Sequence, residues 1–185
     1  MEYIYTDYYR KYGRGRPKLI HRFFPWLIDP QIRHFILIRK WKKSNNNLYK
    51  FWLKIRMKLL KRTSLIDIPP QTRIGEGLYM YHTGSVIVNS HAKIGRNVTL
   101  SPGITIGKTI NKVTGEDEHP TIGNRVWIGA NAIIVGGITI GDNVLIAANT
   151  FITENVPSNT IVFGNPAIMK QNKKNSTKGY INNLV

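Results

Sequence analysis

Histidine is the side chain best suited to taking a proton from a hydroxyl near neutral pH, provided a carboxylate fixes its tautomer and stabilises the imidazolium. The 185-residue sequence has five histidines and no cysteine, so no thiolate nucleophile, thiolate metal site or disulfide is available. His82 stands in the stretch LYMYHTGSVIVNSHAKIG, residues 78–95, and Asp67 lies fifteen positions before it. His119 closes the polar segment KTINKVTGEDEHP, residues 108–120. These residues suggest general-base activation of a hydroxyl, whereas His91 reads as a surface residue.

What must position them is a six-residue repeat. Aliphatic residues recur at Ile68, Ile74, Met80 and Val86, then at Val88, Ile94, Leu100 and Ile106, then at every sixth position from Ile122 to Ile152. Six of them are followed by glycine: Gly75, Gly95, Gly107, Gly123, Gly129 and Gly141. A period of six fits neither an α-helix nor an uninterrupted strand. It fits short strands joined by tight corners, where Gly or Asn can take left-handed backbone angles. Stacked coils about 4.8 Å apart would then point the recurring residues inward, as in a parallel β-solenoid. The repeat breaks twice, by a two-residue slip after Val86 and by the gap from Ile106 to Ile122. Each break has a histidine beside it. With three strands and eighteen residues per coil, Asp67 is expected roughly one coil before His82, beneath it.

The segments IDIPPQTRIGEGL, YHTGSVIVNSHAKIGRNV, EHPTIGNRVWIGANAIIVGGITIGDNV and VPSNTIVFGNPAIMK make residues 66–170 resemble the hexapeptide-repeat acyltransferases, in particular their serine acetyltransferase-like branch. The resemblance implies a mainly β fold, a left-handed parallel β-helix behind a basic α-helical N-terminal segment. The hand rests on the resemblance alone, since parallel crossovers are normally right-handed. It also implies a homotrimer with acetyl-CoA as co-substrate. The family's catalytic base falls on His82 and its orienting aspartate on Asp67. An active-site histidine that meets the substrate across a subunit boundary falls on His119. Implied contacts of the pantetheine arm are Gly107, Ala130 and Ala148, and Lys170 is the implied partner of the coenzyme phosphates. Trp127 reads as a packing or subunit-contact residue. The implied reaction has no covalent enzyme intermediate: His82 takes the hydroxyl proton, the oxygen attacks the thioester carbonyl, and backbone amides stabilise the oxyanion. Zinc-dependent members of the superfamily gather three histidines that include a pair five residues apart. His82, His91 and His119 are 9 and 28 apart, so no metal is expected.

In serine acetyltransferases an acid precedes the first histidine and an arginine the second, and these read the two charges of serine. Here Tyr81 and Glu118 occupy those substrate-binding positions, and a serine carboxylate beside Glu118 would be repelled. The family's long helical N-terminal domain is missing as well. The expectation is therefore an acetyl-CoA-dependent O-acetyltransferase acting on a surface-polysaccharide sugar, free or lipid-linked. Two alternatives stand beside it. One is a serine O-acetyltransferase of cysteine biosynthesis with rewired recognition; the other is a non-catalytic solenoid scaffold, against which the intact Asp67–His82 spacing argues.

The net charge of +17 is uneven: residues 1–65 hold 17 Lys/Arg against 3 acids, and 13 of the 19 aromatic residues. The chain thus divides into a basic, mostly helical segment 1–65, the β-helix domain 66–170 and a flexible polar tail 171–185. Asp29 and Pro30 provide an N-cap and a first helical residue. Further on, Lys50, Lys54, Lys58 and Lys61 share one helical stripe, with Leu48, Trp52, Ile55 and Leu59 opposite and Arg56 interrupting them. Such a helix lies on an anionic membrane, caps the solenoid end, or does both. Nucleic acid could use the same charge, but no recognised motif supports that use. The start MEYIYTDYYR lacks the apolar core of a secretory signal, and no run approaches the ~18 apolar residues of a membrane span. The expected location is cytoplasmic, peripheral to the inner membrane.

Overall fold

When aliphatic residues return every six positions, strands of two residues suffice, because each contributes one inward side chain and hydrogen-bonds to the coils on either side. The computed structural model describes residues 2–15, 18–172 and 175–185 and shows a three-sided parallel β-solenoid from Ile66 onward. The first face stacks Ile66–Asp67, Val86–Val88, Ile104–Gly107, Ile133–Val135 and Phe151–Ile152. The second stacks Arg73–Ile74, Lys93–Ile94, Thr121–Ile122 and Thr139–Ile140. The third stacks Tyr79–Met80, Thr99–Leu100, Trp127–Ile128, Leu145–Ile146 and Thr160–Phe163, and the antiparallel strand Ile168–Gln171 closes it. All fourteen recurring aliphatic residues are buried, each worth about 1.5–3 kcal/mol of apolar burial.

Ladder register explains both interruptions. Val86 pairs with Ile104 and Ile134 with Ile152, eighteen residues on in each case. Ile66 instead pairs with Val86, twenty residues on, so the two extra residues lie in the corner that holds His82. Ile106 pairs with Ile134, twenty-eight residues on. The ten extra residues leave the wall as an antiparallel hairpin, Thr109–Ile110 against Asp117–Glu118.

The glycines after the recurring residues play a different part from the expected one. Left-handed angles fall on Asn97, Asn131, Asn143, Asn149 and Asn159 rather than on Gly75, Gly95, Gly123 or Gly141. Those four glycines stack at the corner between the second and third faces. A Cβ on Gly75 would lie 2.6 Å from the Gly95 carbonyl carbon, and one on Gly123 would lie 2.8 Å from that of Gly141. Backbone passes backbone there, so contact excludes the side chain.

Among the described residues four α-helices precede the solenoid: α1 (Thr6–Tyr12), α2 (Leu19–Phe23), α3 (Pro30–Lys43) and α4 (Asn47–Ser64). Pro30 opens α3 as expected, but the Asp29 side chain does not cap it; it pairs with Lys11 at 2.8 Å and accepts from the Tyr12 hydroxyl. Asn46 caps α4 by accepting from the Tyr49 amide at 2.9 Å. Helices α1 and α3 close the open first coil. Arg39 is almost fully buried and donates to both oxygens of Asp7 at 2.8 and 2.9 Å. It also donates to the carbonyls of Ile74 and Gly75 at 2.9 and 2.5 Å, while Asp7 accepts from the Leu78 amide at 2.7 Å. Arg10 donates to the Gly77 carbonyl at 3.0 Å and to Thr99 Oγ1 at 2.9 Å.

The C-terminal residues, expected as a flexible tail, lie along the solenoid. Thr177 donates its hydroxyl to Asn143 Oδ1 at 2.7 Å, and the Tyr180 ring packs 5.2 Å from Trp127. Val185 exchanges two hydrogen bonds with the Asn97 amide, at 2.8 and 2.9 Å. Two of the left-handed corner asparagines, Asn97 and Asn143, present side-chain amides that the tail satisfies, while Asn131 bonds Asn149 in the next coil.

Two stability effects follow. Arg39→Met leaves the Asp7 carboxylate buried and unpaired and should cost about 3–5 kcal/mol in urea melts, and Asp7→Leu in the same chain should recover only part of it, because the Ile74 and Gly75 carbonyls and the Leu78 amide stay without those partners. His34 in α3 is buried, and burial pushes its pKa down from 6.5 to about 4 against the opposing Ile68 backbone and Asp67 charge. Its folded pKa lies below the unfolded one, so the unfolded state binds the proton more readily. Stability present above pH 6.5 should therefore fall as pH drops toward 4, by up to roughly 3 kcal/mol. Melts of His34→Leu across that window should be correspondingly flatter.

Candidate functional site

Most of the candidate residues sit at one of two corners of the triangular prism. Tyr81 and His82 occupy the corner between the third and first faces, following Met80 and preceding Val86. Ala130 and Ala148 lie at the same corner, two and three coils further along. The column is continuous: the Gly103 amide donates to the Ser85 carbonyl at 2.6 Å, Asn131 to Pro102 at 3.0 Å, and Asn149 to Ala130 at 2.8 Å. Three coil spacings make a wall of small residues roughly 14 Å long. It leads from His82 toward a groove of about 280 Å³ lined by Phe151, Ile152, Asn165, Pro166, Ala167 and Met169. Exposed Lys170 follows in the closing strand.

Gly107, Glu118, His119 and His91 belong to the next corner, between the first and second faces. The His91 and His119 rings face each other with centroids 4.8 Å apart and planes 30° from parallel. Sequence reasoning missed this pair. Their separation of twenty-eight is one coil of eighteen plus the ten residues of the hairpin, and that arithmetic was the available signal. His119 Nδ1 is buried without a hydrogen-bond partner. The Glu118 carboxylate turns into its own hairpin, accepting from Asn111 Nδ2 at 2.8 Å and Thr109 Oγ1 at 3.5 Å. Nearby, the Lys108 ammonium 2.6 Å from Asp117 holds that carboxyl below its ordinary pKa, with His119 and His91 adding to the effect.

Some expected partners are not joined. Asp67 lies on the first face opposite Ile87, and its Oδ2 is 2.6 Å from Lys61 Nζ of α4 rather than on His82. Exposed His82 makes no hydrogen bond among the described residues. The Tyr81 hydroxyl donates to the Tyr180 carbonyl at 2.9 Å, and its ring stands edge-on to Tyr79 at 4.7 Å. Trp127 packs on Tyr180 of its own chain. Among the described residues no cluster of three or more His, Asp or Glu converges on a point suited to a metal ion. His82 and His119 themselves sit on different edges, with the first face between them. At ~3.3 Å per extended residue, strand Val86–Val88 and its flanking corners hold them more than ~10 Å apart. Chemically, the first edge offers an accessible imidazole at the head of a smooth wall suited to a long, thin ligand. The second offers a paired imidazole with one unsatisfied nitrogen.

The family model described as bacterial transferase hexapeptide (six repeats) matches residues 119–154. A serine acetyltransferase of Helicobacter pylori (strain ATCC 700392 / 26695) is 33% identical over 141 residues, 76% of this chain and 81% of that protein. Serine acetyltransferase 2 of Arabidopsis thaliana is 43% identical over 102 residues, 55% of this chain; the chain covers only 31% of that protein's length. Among solved structures, Neisseria gonorrhoeae serine acetyltransferase in complex with serine superposes with a TM-score of 0.65 at 31% identity, over 90% of this chain and 67% of that one. The Brucella abortus strain S19 serine acetyltransferase gives a TM-score of 0.70 at 27% identity, over 93% and 67%.

These relatives overturn the expected polysaccharide acceptor, free or lipid-linked. That expectation relied on formal charges at Tyr81 and Glu118 and on a missing N-terminal domain. The Tyr81 hydroxyl and the Glu118 carboxylate are both engaged within the chain, the latter turned into its own hairpin, so the residue types alone do not give the face an acceptor meets. The length argument fails too, because this chain covers 81% of the Helicobacter pylori protein. Sharing a third of the aligned residues across most of a relative's length, and the fold of several more, the chain belongs to the serine acetyltransferase family.

Proposed function

We propose that the chain transfers the acetyl group of acetyl-CoA to the hydroxyl of L-serine, at an active site completed between copies of itself. The observation that carries this reading is the division of the candidate residues between two edges of the prism, in a chain of this family. A contact between one copy's His82 edge and its neighbour's His119 edge is heterologous, and a heterologous contact closes into a ring when the rotation allows. A triangular prism with one edge of each kind favours three copies, a homotrimer.

In that arrangement the pantetheine arm lies along Ala130 and Ala148, with Gly107 of the neighbouring edge beside it and Lys170 near the coenzyme phosphates. His82 takes the serine hydroxyl proton as the oxygen attacks the thioester carbonyl. The tetrahedral intermediate collapses, the carbon–sulfur bond breaks, and the imidazolium returns the proton to the departing thiolate. Backbone amides of the corner hold the oxyanion. Asp67 orients the imidazole once it exchanges its Lys61 partner for His82, and His119 meets the substrate from the adjoining copy. Tyr81 and Glu118 border the acceptor.

A thiol-release assay with acetyl-CoA tests the reaction. L-serine should be turned over to O-acetylserine, identified by mass; turnover of neutral or amino sugars with serine left untouched would contradict the reading. His82→Ala should lower the rate by ~10²–10⁴-fold while the protein remains folded, and Asp67→Asn should be milder. Near-wild-type turnover of the His82 variant would remove the proposed base.

A further inference from the structure

Helix α4 has two apolar faces, and α3 covers only one. Leu53 and Met57 are buried in the core, with Leu60 partly buried beside them. A second stripe, Leu48, Phe51, Trp52 and Leu59, is 68%, 57%, 56% and 57% exposed. At 3.6 residues per turn this stripe points away from Leu53 and Met57. Exposed Lys54, Lys58 and Arg62 border it on one side and exposed Arg56 on the other. Lys54 lies over the Trp41 ring at 5.6 Å and Lys61 is paired with Asp67. Arg56, Lys58 and Arg62 have no partner among the described residues. Between Pro30 and Ile66 the chain has eleven Lys/Arg and not one acid. No helix among the described residues is long and apolar enough to cross a membrane.

We infer that this face of α4 is a docking surface for an anionic lipid bilayer. The helix lies in the plane of the interface, its aromatic and leucine side chains at headgroup level and its cations against lipid phosphates. The charge distinguishes this occupant from a second copy, because α4 laid on α4 would bring unpaired cations together with no acid on either side. The apolar stripe distinguishes it from nucleic acid, whose backbone calls for cations and has no use for Leu48 and Leu59. The inference does not depend on which hydroxyl is acetylated.

The test is flotation of the full chain with vesicles of phosphatidylcholine alone or mixed with phosphatidylglycerol. The protein should float with the anionic vesicles only, and binding should weaken as salt rises, since exposed charges are screened over ~8 Å at physiological ionic strength. Lys58→Ala with Arg62→Ala should weaken binding roughly 30-fold, at about fivefold per cation. Phe51→Ser with Trp52→Ser should abolish it, and both variants should keep wild-type acetyltransferase activity. Three results would overturn the proposal: equal flotation with neutral vesicles, unchanged binding by both variants, or tighter binding to RNA than to anionic vesicles. A fall in oligomeric size in the Phe51/Trp52 variant would also overturn it, assigning the face to contacts between copies.

Discussion

The strands of a coil in this protein pair only with the coils above and below, and much of the structure depends on that constraint. Neighbouring coils must keep their corners aligned, so extra residues cannot be absorbed along a strand. The two added before Val86 and the ten added before Thr121 are both expelled at corners, after which the ladder resumes in register. The stacked glycines at the second-to-third corner mark how closely the backbones pass, with no room for a Cβ. A residue's corner is therefore set by its position in the coil. Tyr81, His82, Ala130 and Ala148 share one edge; Gly107, His91, Glu118 and His119 share the next. A site that needs both sets is an assembly property.

The same constraint explains the helical cap. The first coil has no predecessor, so its outward backbone groups would lack partners, and buried peptide groups left unpaired are costly. Arg39, Arg10 and Asp7 meet that need by bonding the Ile74, Gly75 and Gly77 carbonyls and the Leu78 amide. A buried ion pair often adds little net stability. Here its guanidinium and carboxylate match exposed backbone groups, which fixes where the helices dock. The same packing leaves the Leu48, Phe51, Trp52 and Leu59 stripe of α4 outside.

Features set by period were legible in the sequence, and features set by contact were not. The recurring aliphatics from Ile68 to Ile152 revealed the solenoid because burial acts on each of them in the same way. Both breaks in the repeat could be located for the same reason. Gly75 and Gly95 were misread because composition cannot separate a glycine needed for its angles from one needed for its size. The tail was misread because its partners, Asn97 and Asn143, are turned toward it only through the left-handed angles of their own corners. The acceptor was misread most consequentially. Tyr81 and Glu118 were judged by formal charge, and their hydrogen bonds to Tyr180 and Asn111 lie in the folded chain alone. The His91–His119 pair went unnoticed because a hairpin hides the coil spacing between them.

The central claim is that one copy supplies His82 and its neighbour His119. It is tested most directly by mixing two inactive variants, His82→Ala and His119→Ala, unfolding and co-refolding them so that subunits exchange, and assaying acetyl transfer to L-serine. A shared site regenerates activity, because some interfaces in the mixed assembly pair an intact His82 with an intact His119. If exchange is verified by differential tagging and the mixture stays as inactive as its parents, both histidines serve one chain and the account is wrong.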